Sequence, residues 1–229
     1  MKLIIFLSLF FAGAYSGIAQ LSIFAGGQAT TFTGIKGFSD KDDQLIYNPV
    51  LGIGYNLRYA KYEKFKPGFV FNGYYNTVSS FATHDLINYQ FKTRHLTFAF
   101  GPSLTVNWHR KTRTRVAGSV FLSYIYGSEV KLDYIFDDYD DLHLQLDVHR
   151  DNFRKYNVGA YFEIGQDFRV FDRFIGVTVY NELFMEKFFK YKISTLENLE
   201  QTRPLAFGVK ISFYIGSYPL NTVQISDIQ

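Results

Sequence analysis

Cysteine is absent from the 229 residues. Its absence excludes disulfides, thiolate metal sites, a cysteine nucleophile and an acylated lipoprotein anchor. Beyond the N-terminal segment there is no unbroken apolar run of the roughly 18 residues that mark a membrane-spanning helix. The 24 Lys and Arg stand against 21 Asp and Glu and form no cluster of the size that marks a nucleic-acid footprint, so no nucleic-acid partner is expected. Tryptophan occurs once and methionine twice, whereas Phe and Tyr occur 25 and 18 times. That aromatic weight favours strands over helices.

The N-terminus has the form of a secretory signal. Lys2 precedes an apolar stretch from Leu3 to Tyr15, and Gly17-Ile18-Ala19 supplies a small-x-small site. Cleavage is expected between Ala19 and Gln20. The expected organisation is a signal peptide over residues 1–19, a barrel domain over 20–216 and a periplasmic tail over 217–229.

Strict alternation dominates the rest. Between Arg94 and Trp108 the even positions Leu96, Phe98, Phe100, Pro102, Leu104 and Val106 are apolar. The odd positions between them, from His95 to Asn107, are small or polar. A strand separates two such sets onto opposite faces, whereas a helix would scatter them. The pattern returns at Leu51, Ile53, Tyr55, Leu57 and Tyr59, and again at Leu205, Phe207, Val209, Ile211 and Phe213.

Carried along the chain, it predicts eight strands. They are Leu21–Phe32, Pro49–Ala60, Phe65–Ser79, Phe91–Trp108, Thr112–Phe136, Leu142–Phe168, Asp172–Ile193 and Leu199–Gly216. Connections alternate in length: Lys61–Lys64, His109–Lys111 and Arg169–Phe171 are short, while Thr33–Asn48, Phe81–Gln90, the Asp137–Asp141 tip and Ser194–Asn198 are longer. One end trimmed and the other elaborated, with an even strand count, is the plan of an outer-membrane barrel. The predicted fold is all-β, an eight-stranded antiparallel up-and-down transmembrane β-barrel. Closure is compulsory in hydrocarbon, because every backbone group must pair internally.

Several strands exceed the roughly 9–11 residues needed to cross a bilayer, which points the apolar set at lipid. Small residues then mark the lumen: Gly52, Gly54, Ala99, Gly101, Gly165 and Gly208. Among them Arg58, Glu163, Glu182 and Lys210 share the polar parity and are expected to form a structural ionic network. Asp137, Asp138, Asp140 and Asp141 crowd an acidic extracellular tip, read as a solvated negative surface. No catalytic residue, cofactor site or metal site is assigned. Two other readings stay open: a secreted lipocalin-like barrel with its apolar face around a small ligand, and an outer-membrane lipid-modifying enzyme built on Ser128, His143 and Asp147.

Certain stretches carry a resemblance. Gly52-Ile53-Gly54-Tyr55-Asn56-Leu57-Arg58-Tyr59, Ala99-Phe100-Gly101-Pro102 and Phe207-Gly208-Val209-Lys210-Ile211-Ser212-Phe213, with the Ile18-Ala19-Gln20 signal, resemble the PorT-like outer-membrane β-barrel proteins of Bacteroidota-type bacteria. The resemblance implies an eight-stranded barrel integral to the cell outer membrane, without a known ligand. Expected partners are outer-membrane lipid and, during biogenesis, periplasmic chaperones and the barrel-assembly machinery. The expected role is structural or in surface interaction, with no catalytic activity and any extracellular partner unknown.

Overall fold

The computed structural model describes residues 17–33, 46–59, 64–84, 87–109, 111–134, 154–171, 173–186 and 203–215. Within them the chain runs through β1 (Gly17–Thr33), β2 (Ile46–Tyr59), β3 (Phe65–His84), β4 (Ile87–His109), β5 (Thr112–Tyr134), β6 (Tyr156–Val170), β7 (Arg173–Phe184) and β8 (Arg203–Ile215). Each strand pairs antiparallel with the next, and β1 pairs β8 from Leu21↔Ile215 to Thr33↔Arg203, so the sheet closes into a barrel in sequence order. Closure leaves no wall edge with unpaired amides.

The two faces separate as the alternation requires. Ile53, Phe98, Val120, Ile164 and Ile211 are each more than half exposed on the outer wall, while the residues between them are buried inside. An exposed apolar band around a closed barrel would be untenable in water and is the lipid-facing surface of an outer-membrane barrel. The lipocalin-like alternative is thereby corrected: the apolar set lines the outside, and charged and amide side chains line the inside.

Two expectations about the elements change. Phe81–Gln90 is not a long loop, because β3 and β4 stay paired from Ser80↔Phe91 to His84↔Ile87. Its Phe, Thr and Tyr residues suit a strand, and the polar pair Ser79-Ser80 is an interruption rather than an end. β1 begins at Gly17 rather than at Leu21, with Gly17↔Tyr59 and Ile18↔Arg58 paired. The expected acidic tip, Asp137, Asp138, Asp140 and Asp141, and the distal parts of the expected sixth, seventh and eighth strands lie outside the described residues.

Among the described residues β2 pairs β3 as far as Val50↔Asn76 and β5 pairs β6 as far as Tyr124↔Tyr156, while β4 and β5 continue together to Ile87↔Tyr134. At the rim β5 carries an extra residue, Tyr126, between the pairs Arg94↔Gly127 and His95↔Ile125. Such a bulge bends a strand and increases its twist where a wall becomes an extension.

Candidate functional site

Among the described residues the lumen holds eight buried charged side chains: Arg58, Lys66, Arg113, Arg115, Glu163, Asp167, Glu182 and Lys210. Room for them comes from glycine on the same face. A Cβ on Gly208 would collide with the Tyr180 ring, and one on Gly159 would collide with Phe121. Aromatic rings therefore lie flat against glycine backbone and leave the axis to polar groups.

At the lower level, nearest the short turns, Arg113 Nε donates to Asp167 Oδ2 at 2.6 Å, and its Nη2 donates to Gln20 Oε1 at 2.9 Å. The guanidinium lies 4.0 Å from the Phe174 ring centroid and 4.9 Å from that of Tyr214, so two aromatic rings pack on the cation. Tyr214 OH donates to Asp167 Oδ1 at 3.0 Å. Arg58 is buried at this level, where its charge acts on Asp167.

One level up, Glu163 is the hub. Its Oε2 receives Lys210 Nζ at 2.7 Å and Tyr161 OH at 2.8 Å, and its Oε1 lies 3.2 Å from Arg115 Nε. Arg115 also donates to Thr178 Oγ1 at 3.3 Å, to Asn56 Oδ1 at 3.4 Å and to Tyr214 OH. Lys210 Nζ sits 4.5 Å from the Phe24 ring centroid. A carboxylate between two cations and a phenol is well compensated for burial.

Higher still, Glu182 takes Tyr74 OH at 2.6 Å and Asn76 Nδ2 at 3.3 Å. Neutral donors hold this carboxylate, and it forms no ion pair with Lys210. Asn76 continues to Thr97 at 3.1 Å, Thr97 to Ser123 at 3.1 Å, and Ser123 to His95 Nδ1 at 2.7 Å. His95 Nε2 contacts Thr93 Oγ1 at 2.7 Å, so both ring nitrogens are engaged.

Of the four residues grouped by parity, the structure brings Glu163 and Lys210 into contact. It places Arg58 in the lower level and Glu182 in the upper. The grouping misses Arg113, Arg115, Asp167, Tyr161 and Tyr214, although all five are on the polar parity of β5, β6 and β8. Among the described residues no group of three or more His, Asp or Glu side chains is placed to hold a metal ion. His143 and Asp147, which the enzyme alternative needs, lie outside the described residues.

No family model and no curated protein matches the chain. Among solved structures it is similar to Ail, the attachment invasion locus protein of Yersinia pestis, at 12% identity, 86% of this chain, 99% of that one and a TM-score of 0.38. It is also similar to Neisserial surface protein A, at 8% identity, 86% and 98% coverage and a TM-score of 0.43. The outer-membrane protein OprG of Pseudomonas aeruginosa gives 8% identity, 87% and 96% coverage and a TM-score of 0.41. At such identities and scores, what this chain does has to be argued from its own residues.

Proposed function

We propose that the protein is a non-catalytic integral barrel of the outer membrane with a filled lumen, serving a structural or surface-interaction role. One observation carries this reading: hydrogen bonds join diametrically opposite strands at two heights. Arg113 on β5 reaches Gln20 on β1 at 2.9 Å, and Tyr74 on β3 reaches Glu182 on β7 at 2.6 Å. Side chains that meet across the axis occupy the path a permeating ion would take. In this reading Arg58, Glu163, Glu182 and Lys210 belong to the structural fill, together with the five residues found beside them.

The finer parts of the proposal rest on sequence pattern: kinship with the PorT-like barrels of Bacteroidota-type bacteria, a signal peptide over residues 1–19 and a periplasmic tail over 217–229. Assembly through periplasmic chaperones and the barrel-assembly machinery, and an acidic extracellular tip at Asp137, Asp138, Asp140 and Asp141, complete it. Planar-bilayer recording tests the reading. Purified wild-type protein should insert without stepwise conductance, whereas stable channel steps would overturn the filled-lumen role.

A further inference from the structure

On the outer wall a polar notch on β2, β3 and β4 sits above an apolar hollow whose lining runs from Leu21 on β1 to Val158 on β6. The notch has a volume of about 500 Å³; Tyr47, Pro49, Tyr75, Thr77, Lys92 and Arg94 line it, with the buried Asn48 and Ser79 at its inner side. The hollow has a volume of about 560 Å³, and its lining includes Ile53, Tyr55, Phe71, Gly73, Phe98 and Phe100. Register puts them in one column: Thr77↔Arg94 lies above Tyr75↔Leu96, then Gly73↔Phe98, then Phe71↔Phe100. From Arg94 to Phe98 is roughly 13 Å along the strand.

The notch exists because β3 leaves β2 after Asn76, and the departing strand is held in place. Gln28 Nε2 donates to Thr77 O at 3.0 Å, and Thr30 Oγ1 accepts from Ser79 N at 3.0 Å. Lys92 and Arg94 are exposed there, and Lys92 makes no ion pair among the described residues. Among the described residues the ion pair of Arg94 is with Glu129 Oε1, at 3.5 Å from Nη2, a part-exposed contact. Tyr75 and Tyr126, with ring centroids 6.1 Å apart, mark the rim of the bilayer beside these cations. Below, the missing side chain at Gly73 exposes the Phe98 ring and Ile53, and Phe71 stacks on Phe100 at 4.4 Å.

We propose that this column is a binding site for a phosphorylated membrane lipid, with the headgroup phosphate between Lys92 and Arg94 and an acyl chain over Gly73 and Phe98. Charge complementarity selects the headgroup: two cations and tyrosine hydroxyls at the upper edge of an apolar band match a phosphate joined to hydrocarbon. The Glu129 carboxylate opposes the same phosphate by holding Arg94. The site rests on the reading that the outer wall faces lipid.

The test is native mass spectrometry of the protein released from nanodiscs of equal phosphatidylcholine and phosphatidic acid. Wild type should retain phosphatidic acid about tenfold over the bulk ratio. The surface pair K92A/R94A should return to the bulk ratio, Glu129→Gln should raise the enrichment, and Gly73→Leu should lower it by filling the hollow. Excess inorganic phosphate should leave the enrichment in place. Equal retention of both lipids by wild type, unchanged enrichment in K92A/R94A, or displacement by inorganic phosphate would overturn the proposal. Heat-dependent gel migration confirms that each variant is a folded barrel. A chain that failed to enter nanodiscs at all would count against the membrane reading itself.

Discussion

Glu163 is the residue on which the lumen turns. It pairs with Lys210 at 2.7 Å and lies 3.2 Å from Arg115 Nε, so removing Lys210 leaves the carboxylate with one cation. Lys210→Met should therefore destabilise the barrel by about 3 kcal/mol, the low end of the range for breaking a buried pair. Unfolding in matched detergent measures it. Combining it with Glu163→Gln should cost less than the two single losses together, since the stranded charge disappears; strict additivity would contradict a coupled pair. Parity alone made Glu163 and Lys210 legible as lumen residues. It could not show that Glu182 would prefer Tyr74 and Asn76 to a lysine, because the choice depends on which side chains meet across the axis. Arg113, Arg115 and Asp167 share the polar parity and were within reach of the same argument, but close to the His109–Lys111 and Arg169–Phe171 turns parity alone does not separate a lumen charge from a rim charge.

At the scale of the strand, alternation placed nearly every wall residue on its observed face, because a one-residue slip would turn a whole strand inside out. Strand ends were harder to read. Nothing periodic distinguishes a paired extension from a loop, and β3 and β4 continue to His84↔Ile87 through a polar interruption. The rim bulge at Tyr126 was equally silent, since an inserted residue shows only once the partner strand is aligned. The wall itself makes a depth-dependent prediction. Phe98 is 55% exposed on the outer wall, and Phe98→Arg should destabilise by about 2–4 kcal/mol. Val170 is 41% exposed at the wall's edge, beside the β6–β7 turn, and Val170→Arg should cost only about 0–1 kcal/mol. Refolding titrations into lipid vesicles read both values. Equal penalties at the two positions would deny that the apolar band has a midplane and an edge.

For the whole molecule, closure, outward apolar residues and a filled interior are one arrangement seen three ways. Closure pairs the first strand with the last, the outer band replaces water with lipid, and the cross-barrel bonds fill the interior with packed polar side chains. Orientation follows from the trimmed turns: a cysteine at Lys111 should resist a membrane-impermeant maleimide on intact cells, and labelling would invert the barrel. The most direct test of the central claim is a nitroxide scan along β4 from Lys92 to Trp108 in lipid bilayers. Even positions should collide freely with oxygen and not with a water-soluble nickel reagent through the mid-wall, while odd positions should be shielded from both. Nickel access at the odd positions would reveal an open aqueous lumen, and loss of the two-residue period would contradict the barrel wall.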